Sequence, residues 1–591
     1  MRRHGGAVRQ MLALSLRADR PATVLTIVLV MVRAGAVAGT GLAQRWLVDA
    51  AGTHRVAAIA AAVVIGVLAH TALVSANRIQ GNLSNDLSDR VGLMLSQEIL
   101  ETTAKIPTVA HLESPEYLDR LSLLRKGSRS LASVCWAVAE SVSSIISLGL
   151  TMWLLYSVHP ALSLVALCAI PWLVVGHRAE RMLNRVKDRV AQDLRRELHL
   201  HQMCLSAEQA KEIRIAGSGP SLDEQAAELW DSAARQEIMV RLRRTALLSV
   251  GWLTFAAGFA GALTIVAHLV VAGRATAGDV LLVITLAGAL RQQISGMFYH
   301  LSRVTDAGRI TDHYRWLRQF AAQAERVGPA PPRRLTDGIT LRGVAFSYPG
   351  IDRAVLRNID LHLPAGATVG LVGVNGAGKT TLVKLLTGMY QPTRGSILVD
   401  GRPMSELDPT AWSAAGTAVF QDFVKWQLPV REVVGIGDLP RIEDRAVVVD
   451  AVRRAGAESL VESLPDGLDT QLGRVFDGAE LSHGQWQRVA LARGLMRATP
   501  VLLVLDEPTA ALDPQAEHEL FERFAAQAKS LALGRGAVTV LVSHRFSTVH
   551  MADLIVVLGD GVIEELGTHH ELMRAGGRYA ELFRTQASGY A

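Results

Sequence analysis

A glycine-rich run at residues 373–381 has the residue types and the spacing that bind phosphate. It follows an apolar run at 368–372 and precedes a helical pattern at 382–386, so it should form a strand-to-helix turn. In such a turn backbone N–H groups surround phosphate oxygens, a lysine reaches the terminal phosphates and a hydroxyl ligates Mg²⁺. The predicted phosphate-binding residues are Gly373, Val374, Asn375, Gly376, Ala377, Gly378, Lys379, Thr380 and Thr381, with Thr380 as the magnesium ligand.

Two carboxylates follow a second apolar run, at 501–505. A continuous apolar run is typical of a central parallel strand buried on both faces, and α/β sheets bind ligands at the carboxyl ends of such strands. We therefore expect Asp506 to hold Mg²⁺ through water, and Glu507 to orient or deprotonate a water that attacks phosphate. The alternative is an acidic pair at the start of a helix.

A third apolar run, at 538–542, leads to Ser543 and His544. Its position at another strand end favours contact between His544 and the terminal phosphate. A structural histidine is the alternative interpretation.

Composition shows that these motifs occupy only part of the chain. Of 591 residues, 49% are hydrophobic and 20% charged, which excludes a disordered protein, and three cysteines exclude a disulfide-built scaffold. Residues 1–330 carry 35 basic and 25 acidic side chains, whereas 331–591 carry 26 and 30. The basic excess belongs to the first half, so it does not indicate a nucleic-acid partner.

Six apolar runs in the first half approach the roughly 20 residues that cross a bilayer. They lie at about 22–44, 56–76, 131–156, 159–177, 248–272 and 279–300. The connections at 77–130 and 178–246 are long and hold seven and thirteen Lys/Arg residues. Because basic residues stay on the cytosolic side of a membrane, we expect both long connections and both chain ends in the cytosol.

Breaks near Pro115 and at 217–220 should mark the turns of the two long connections, which read as helices. A Gly/Pro-rich linker at 325–338 separates a membrane domain at 1–324 from a domain at 339–591 in which short strands alternate with helices. The predicted fold is a six-helix all-α transmembrane domain with long cytosolic helical extensions, followed by an α/β P-loop NTPase domain.

Ionisable residues inside the predicted spans are candidates for a substrate path, because burying them in a membrane is costly. The candidates are Arg33, Glu140 and Arg291, with His70 and His268 as further examples. Alternatively, Arg33 lies close enough to an interface for its guanidinium to reach water.

The motifs together resemble those of ATP-binding cassette (ABC) transporters, and the six spans ahead of them resemble an exporter-type half-transporter. The resemblance implies ATP and Mg²⁺ as cofactors and a second half-transporter as partner, in a homodimer or heterodimer. It implies that Gln421 senses Mg²⁺, that Tyr348 stacks on adenine and that Asp513 reaches the partner cassette. The family signature, which acts on ATP held by the other cassette, corresponds to Leu481, Ser482, His483, Gly484 and Gln485.

His483 departs from the family pattern because it replaces the first glycine of the signature. Ser482 and Gly484, which would contact the terminal phosphate, are retained. We therefore expect slower or pH-dependent turnover rather than an inactive site. The alternative is a heterodimer to which this chain contributes one weakened signature.

Local sequences at 485–488, 543–549 and 111–117 resemble those of bacterial exporters for lantibiotics and other ribosomal peptides. This resemblance implies a multi-pass protein of the bacterial plasma membrane that exports a peptide or peptide-like product by alternating access. The alternatives are an exporter of lipid or hydrophobic drugs, a siderophore-type importer on the same scaffold, and a nucleotide-gated regulator.

Overall fold

A computed structural model describes residues 2–206, 209–325, 328–508, 514–543 and 549–588. The chain divides into two compact units. The first comprises Met1–Ile99 and Leu123–Tyr314, and the second comprises Leu100–Ser122 and Arg315–Ala591.

The chain ahead of residue 325 is helical. Its helices are α1 (Arg2–Ala18), α2 (Arg20–Gly52), α3 (Val56–Ala104), α4 (Pro115–Ala132), α5 (Val134–Val158), α6 (Ile170–Leu205), α7 (Ala210–Ile215), α8 (Gly219–Val271) and α9 (Ala277–Ala324), with 3₁₀ segments at Ala110–Glu113 and Pro160–Ala169. Within the described residues, six helical segments are long and apolar enough to cross a membrane. Four of them continue as helix well beyond the apolar run, and the turns near Pro115 and residue 217 are present as predicted.

The membrane unit packs its helices around an aliphatic core and leaves other aliphatic side chains outside. Leu154, Leu162, Leu282 and Leu286 are buried together, whereas side chains such as Leu253 are 70% exposed. An exposed aliphatic surface of this kind suits a lipid environment, in which apolar side chains need not be hidden from the solvent. The chain is a multi-pass membrane protein.

The fourth predicted span begins as a 3₁₀ helix and becomes an α-helix only at Ile170. Pro160 is the first residue of the 3₁₀ helix, and Pro171 is the second residue of α6. Because proline has no N–H and its ring crowds the preceding turn, Pro171 cannot continue regular α-helical bonding from the segment before it.

The second unit contains two sheets in its described part. The strands are β1 (Gly338–Phe346), β2 (Leu356–Pro364), β3 (Thr368–Gly373), β4 (Arg394–Val399), β5 (Arg402–Pro403), β6 (Gly416–Val419), β7 (Leu502–Asp506), β8 (Val538–Val542), β9 (Leu554–Gly559) and β10 (Val562–Gly567). One sheet is antiparallel, in the order β2-β1-β4-β5. The other has the order β10-β9-β3-β8-β7-β6, parallel except for the β9–β10 pair.

Helices complete the second unit. They are α10 (Lys379–Leu386), α11 (Pro409–Ala415), α12 (Val430–Gly435), α13 (Arg445–Arg454), α14 (Glu458–Glu462), α15 (His483–Gly494), α16 (Pro514–Arg535), α17 (His569–Ala575) and α18 (Arg578–Ser588), with 3₁₀ turns at Met404–Glu406, Ile436–Arg441, Gly467–Asp469 and Arg474–Phe476. The predicted fold class, a helical membrane domain followed by an α/β domain, is confirmed.

Strand β7 shows why the run before Asp506 is apolar throughout. Leu502 and Val504 pack into one hydrophobic core, and Leu503 and Leu505 pack into a second. Because successive side chains of a strand point to opposite faces, this division shows that the sheet is buried on both sides. Asp506 and Glu507 therefore lie at the end of a rigid strand that is buried on both faces.

The middle of the first long connection, Leu100–Ser122, belongs to the second unit. The Val109 N–H donates to the Met389 carbonyl at 3.1 Å, and Val109 and Ala110 pack against a core of this unit. Farther along, the Tyr117 ring lies 5.3 Å from the Phe320 ring, between centroids. These contacts explain why residues 100–122 group with the second unit.

Candidate nucleotide site

The glycine-rich run forms a loop between β3 and α10, and its turn depends on glycine. Gly376 and Gly378 have φ angles of +83° and +101°, in the left-handed region that other residues rarely adopt. A Cβ on Gly378 would also lie 2.7 Å from a Leu356 methyl carbon. Helix α10 begins at Lys379 immediately after this turn, so the N-terminal N–H groups of α10 face the loop.

Lys379 extends its ammonium group back into the loop. Its Nζ donates to the carbonyl oxygens of Gly373 at 2.8 Å and Val374 at 3.1 Å. Burial lowers the pKa of Lys379, while the charges of Glu507 and Asp506 act in the opposite direction. The ammonium group is therefore held inside the phosphate loop, where an anion would interact with it strongly.

Asp506 ends strand β7 as a buried carboxylate. Its pKa is raised to about 6, mainly by burial; a hydrogen bond with Thr380 opposes this shift, and the charge of Glu507 adds to it. Its Oδ2 atom is buried without a hydrogen-bond partner among the described residues. A buried, unpartnered carboxylate oxygen beside a threonine hydroxyl fits a hard divalent cation, which takes oxygen ligands.

Glu507 and Gln421 meet at the adjoining strand ends. The Gln421 Nε2 donates to the Glu507 Oε2 at 2.8 Å. Glu507 itself has a φ angle of +50°, which is uncommon for a residue with a side chain. Its N–H donates to the Val542 carbonyl on β8, which holds the backbone in this conformation. Strain of this kind is found at functional sites, where the surrounding structure maintains it.

An open cavity of about 580 Å³ joins these elements. This volume is within the range of roughly 300–1,000 Å³ that is usual for small-molecule sites. The cavity is lined by Val355, Asn375, Gly376, Gly378, Lys379, Thr380, Thr381, Gln421 and Glu507. The structure thus brings the predicted phosphate loop together with two of the predicted catalytic residues.

Tyr348 lies beside the cavity and is joined to it through Thr381. The two hydroxyl oxygens are 3.0 Å apart. The Tyr348 ring packs edge-to-face against Phe346 and Tyr390, with centroids 5.0 and 5.4 Å away. An aromatic side chain next to a phosphate loop can stack on a nucleotide base.

The signature segment begins helix α15. Ser482 is the N-cap residue: its hydroxyl accepts from the Gln485 N–H at 3.3 Å, and its own N–H donates to the Gln485 side chain at 2.8 Å. Leu481 is buried, and His483 is exposed at the first helical position. The His483 ring lies 5.3 Å from the Phe423 ring, a contact that the sequence did not predict.

His544 and Asp513, two of the predicted site residues, lie outside the described residues.

The membrane unit brings together two of the three predicted path residues. Arg33 and Glu140 form an ion pair between α2 and α5, and the Glu140 side chain is only 8% exposed. The His300 Nε2 lies 3.8 Å from the same carboxylate. His300 was missed because it stands at the very end of the last predicted span. The side chain of Arg291 lies outside the described part of the chain.

The sequence of the second unit matches a known protein family. The family described as ABC transporter matches residues 356–510, which include the phosphate loop, the signature segment, Asp506 and Glu507. Residues 356–510 form an ABC transporter ATP-binding domain. One six-helix membrane unit precedes one ATP-binding domain, which is the architecture of an ABC half-transporter, and this domain implies that the chain binds ATP.

Two relatives illustrate the similarity of ABC transporters to this chain. The nisin transport ATP-binding protein NisT of Lactococcus lactis subsp. lactis is 37% identical over 244 residues, which are 41% of this chain and 40% of NisT. An ATP-dependent lipid A-core flippase of Alcanivorax borkumensis is 28% identical over 515 residues, which are 85% of this chain and 84% of the flippase. The matches to the first curated relatives thus span about two fifths of those proteins.

The fold extends the similarity to nearly the whole chain. A solved structure of a bacterial Atm1-family ABC exporter with ATP bound superposes with a TM-score of 0.81 at 22% identity, covering 96% of this chain and 99% of the exporter chain. The ABC exporter fold therefore includes the membrane unit as well as the ATP-binding domain.

Proposed function

We propose that this half-transporter hydrolyses ATP to drive export across a membrane, as one half of a dimer. The observation that carries the proposal is the cavity in which Lys379, Thr380, Gln421 and Glu507 converge, in a chain that also has six candidate spans. Such a chain can link phosphoryl transfer to a movement of its membrane-spanning helices.

In the proposed reaction, water attacks the γ-phosphorus of ATP and the bond to the β-phosphate oxygen breaks, giving ADP and phosphate. Glu507 orients the water and accepts its proton, and the hydrogen bond from Gln421 fixes the Glu507 carboxylate. Lys379 binds the terminal phosphates. Thr380, Asp506 and Gln421 would hold Mg²⁺, partly through water, and the ion would neutralise phosphate charge. His544 contacts the γ-phosphate in this proposal.

Each ATP would lie between the phosphate loop of one cassette and the signature of the other. Ser482 can donate its hydroxyl proton while its oxygen keeps the capping bond, and the Gly484 N–H adds a second donor at the helix N-terminus. Asp513 would reach across to the partner cassette. Because the site is complete only when the cassettes close, ATP favours the closed state and hydrolysis favours opening.

The two long connections would carry this movement to the spans, which then alternate between inward and outward access. The first connection already packs on the described part of the cassette through Val109. Their seven and thirteen basic residues favour a cytosolic cassette and cytosolic chain ends in a bacterial plasma membrane.

A peptide or peptide-like product is our preferred substrate class. The similarity to the nisin transport ATP-binding protein and to the subtilin transport ATP-binding protein of Bacillus subtilis supports it. Lipid is the second candidate, because a lipid A-core flippase matches 85% of this chain. The pair Arg33–Glu140 is the proposed polar feature of the path, together with Arg291.

Uptake into inside-out membrane vesicles tests this function. An exporter should move a fluorescent lantibiotic-type peptide from the medium into the lumen when ATP is added, and vesicles with Lys379→Ala should show none. Uptake of a fluorescent lipid alone would favour lipid as the substrate. ATP-dependent accumulation only in right-side-out vesicles loaded with ATP would indicate an importer, and ATP hydrolysis that no probe stimulates and that moves none would indicate a regulator.

A further inference from the structure

Lys384 lies on α10, the same short helix whose first residue is Lys379. Its Nζ is 5.5 Å from the Tyr348 ring centroid and 5.7 Å from the Tyr390 ring centroid. It is also 3.9 Å from a carboxylate oxygen of Glu113. One ammonium group thus contacts two aromatic rings and one acidic side chain.

The two aromatic rings connect Lys384 to the nucleotide cavity. Tyr348 and Tyr390 meet edge-to-face at 5.4 Å, and Phe346 packs against both of them. At its other end Tyr348 is joined by its hydroxyl to Thr381, which lines the cavity. Lys384 therefore helps to fix the ring that stands next to the phosphate loop, through an attraction between a cation and aromatic faces.

Glu113 connects Lys384 to the first long connection. It ends the 3₁₀ segment Ala110–Glu113. This segment follows Val109, whose N–H donates to the Met389 carbonyl, next to Tyr390 in the chain. Two contacts of the first connection, made by Val109 and Glu113, thus fall within one short stretch of the cassette, residues 384–390.

We propose that Lys384 is a positioning residue: it orients Tyr348 for stacking on the base of ATP and pairs with Glu113. Binding of the base and packing of the first connection on the cassette therefore depend on each other. The proposal rests on the nucleotide site assigned above. It adds that the Lys384 side chain contacts both Tyr348 beside that site and Glu113 of the first connection. Neither Lys384 nor Glu113 touches the phosphates or the reacting atoms in this proposal.

The size of the effect follows from exposure. The Lys384 and Glu113 side chains are 26% and 44% exposed, so the ion pair between them is weak. A cation over an aromatic ring contributes about 0.7–1.4 kcal/mol at such a partly exposed site. We therefore expect about a three- to tenfold change in affinity for ATP on loss of Lys384.

The first test compares ligands with and without a base, on the full chain in lipid nanodiscs. In Lys384→Met, the Kd of a ribose-labelled fluorescent ATP should rise about three- to tenfold, while inorganic tripolyphosphate should displace the label with an unchanged inhibition constant. The kcat at saturating ATP should stay within about twofold of wild type. Lys529→Met, at an exposed position of α16, is the matched control and should change neither ligand.

The second test uses the other end of the link. Glu113→Gln should also weaken ATP binding, although Glu113 lies outside the cassette in sequence, and the effect should vanish in the Lys384→Met background. The exchange Glu113→Lys with Lys384→Glu should restore part of the affinity. Three results would overturn the proposal. They are unchanged ATP affinity in Lys384→Met, an equal loss of affinity for tripolyphosphate in that variant, and additive effects of Lys384→Met and Glu113→Gln on ATP affinity. A wild-type chain that binds ATP without hydrolysing it would overturn the proposed function, and the binding ratios would still decide the role of Lys384.

Discussion

The nucleotide cavity and the ion pair in the spans use charged residues in opposite ways. In the cassette, Lys379 at the start of α10 and Asp506 at the end of β7 are buried; Lys379 lines the cavity, and Asp506 has a carboxylate oxygen without a hydrogen-bond partner among the described residues. In the membrane unit, Arg33 and Glu140 are directed at each other, and the same guanidinium reaches Gln80 and Asn77 on α3. The first arrangement leaves groups available for a ligand, whereas the second satisfies its groups between helices.

This difference shows that the residue type alone does not identify a transport path. Other polar side chains of the spans also bond between helices: Ser143 and Ser147 donate to carbonyls of α2, and Thr285 donates to Gln44. A polar contact in an apolar environment can hold helices together as well as bind a substrate. Substitutions can therefore separate the two roles.

The largest effect on ligand binding is expected at Lys379 in the cassette. Lys379→Ala removes the ammonium group that binds the terminal phosphates, so affinity for ATP should fall about ten- to a hundredfold. Binding of a fluorescent ATP to the full chain in nanodiscs measures this loss. Lys425→Ala, which removes an exposed lysine of the same unit, should leave affinity unchanged, and a similar loss in both variants would contradict the assignment.

Asp506→Asn tests whether the buried charge of Asp506 lowers the stability of the folded protein when no cation is bound. Because burial raises the pKa of Asp506 from 3.8 to about 6, its contribution to stability is present below pH 3.8 and is lost as the pH rises through 6. Asparagine avoids this loss. Without Mg²⁺, the variant should therefore be more stable than wild type at pH 8, by at most about 3 kcal/mol.

Thermal unfolding in EDTA at pH 8 and pH 5 measures this difference. The advantage of Asp506→Asn should shrink at pH 5, where the wild-type carboxyl group is protonated in the folded protein. An advantage that stays constant or grows towards low pH would show that charge burial is not its cause.

The ion pair Arg33–Glu140 should stabilise the packing of the spans. Glu140→Gln leaves Arg33 without its ionic partner and should destabilise the protein by on the order of 2 kcal/mol. Replacing both residues with methionine should recover most of this stability. The exposed pair Arg244–Glu180 of the same unit is the control, and Glu180→Gln should change stability by less than about 1 kcal/mol.

Vesicle uptake by the double methionine variant then decides which role the pair has. Uptake at the wild-type level would show that the pair only joins helices. A stable variant without uptake would place Arg33 and Glu140 in the path. Equal melting of the single variant and wild type would contradict the buried ion pair itself.

The smallest effect is expected at the signature. His483→Gly removes the side chain at the first position of α15 and its contact with Phe423. Freer approach of phosphate to this helix N-terminus should raise ATP turnover about two- to fivefold. Phosphate release at saturating ATP measures it, and unchanged turnover would mean that the histidine does not limit the reaction.

The places of the loop and of the carboxylates in the fold of the cassette could be predicted from the sequence, because both depend on local patterns. The loop at 373–381 and the carboxylates after β7 each follow a buried strand, and a parallel sheet gathers such strand ends at one edge. Contacts between distant segments were not predictable in the same way. Examples are His483 with Phe423, His300 with Glu140 and Lys384 with Glu113, which depend on helix packing and loop paths that no short motif encodes.

Hydrolysis by Glu507 is the central claim, and Glu507→Gln tests it most directly, because it removes the base and keeps the size of the side chain. In the full chain in lipid, we predict that ATP turnover falls by about 10²–10⁴-fold while ATP binding remains at the wild-type level. Glu462→Gln, at an exposed position of α14, should hydrolyse ATP normally. Turnover by Glu507→Gln at the wild-type rate would contradict the account.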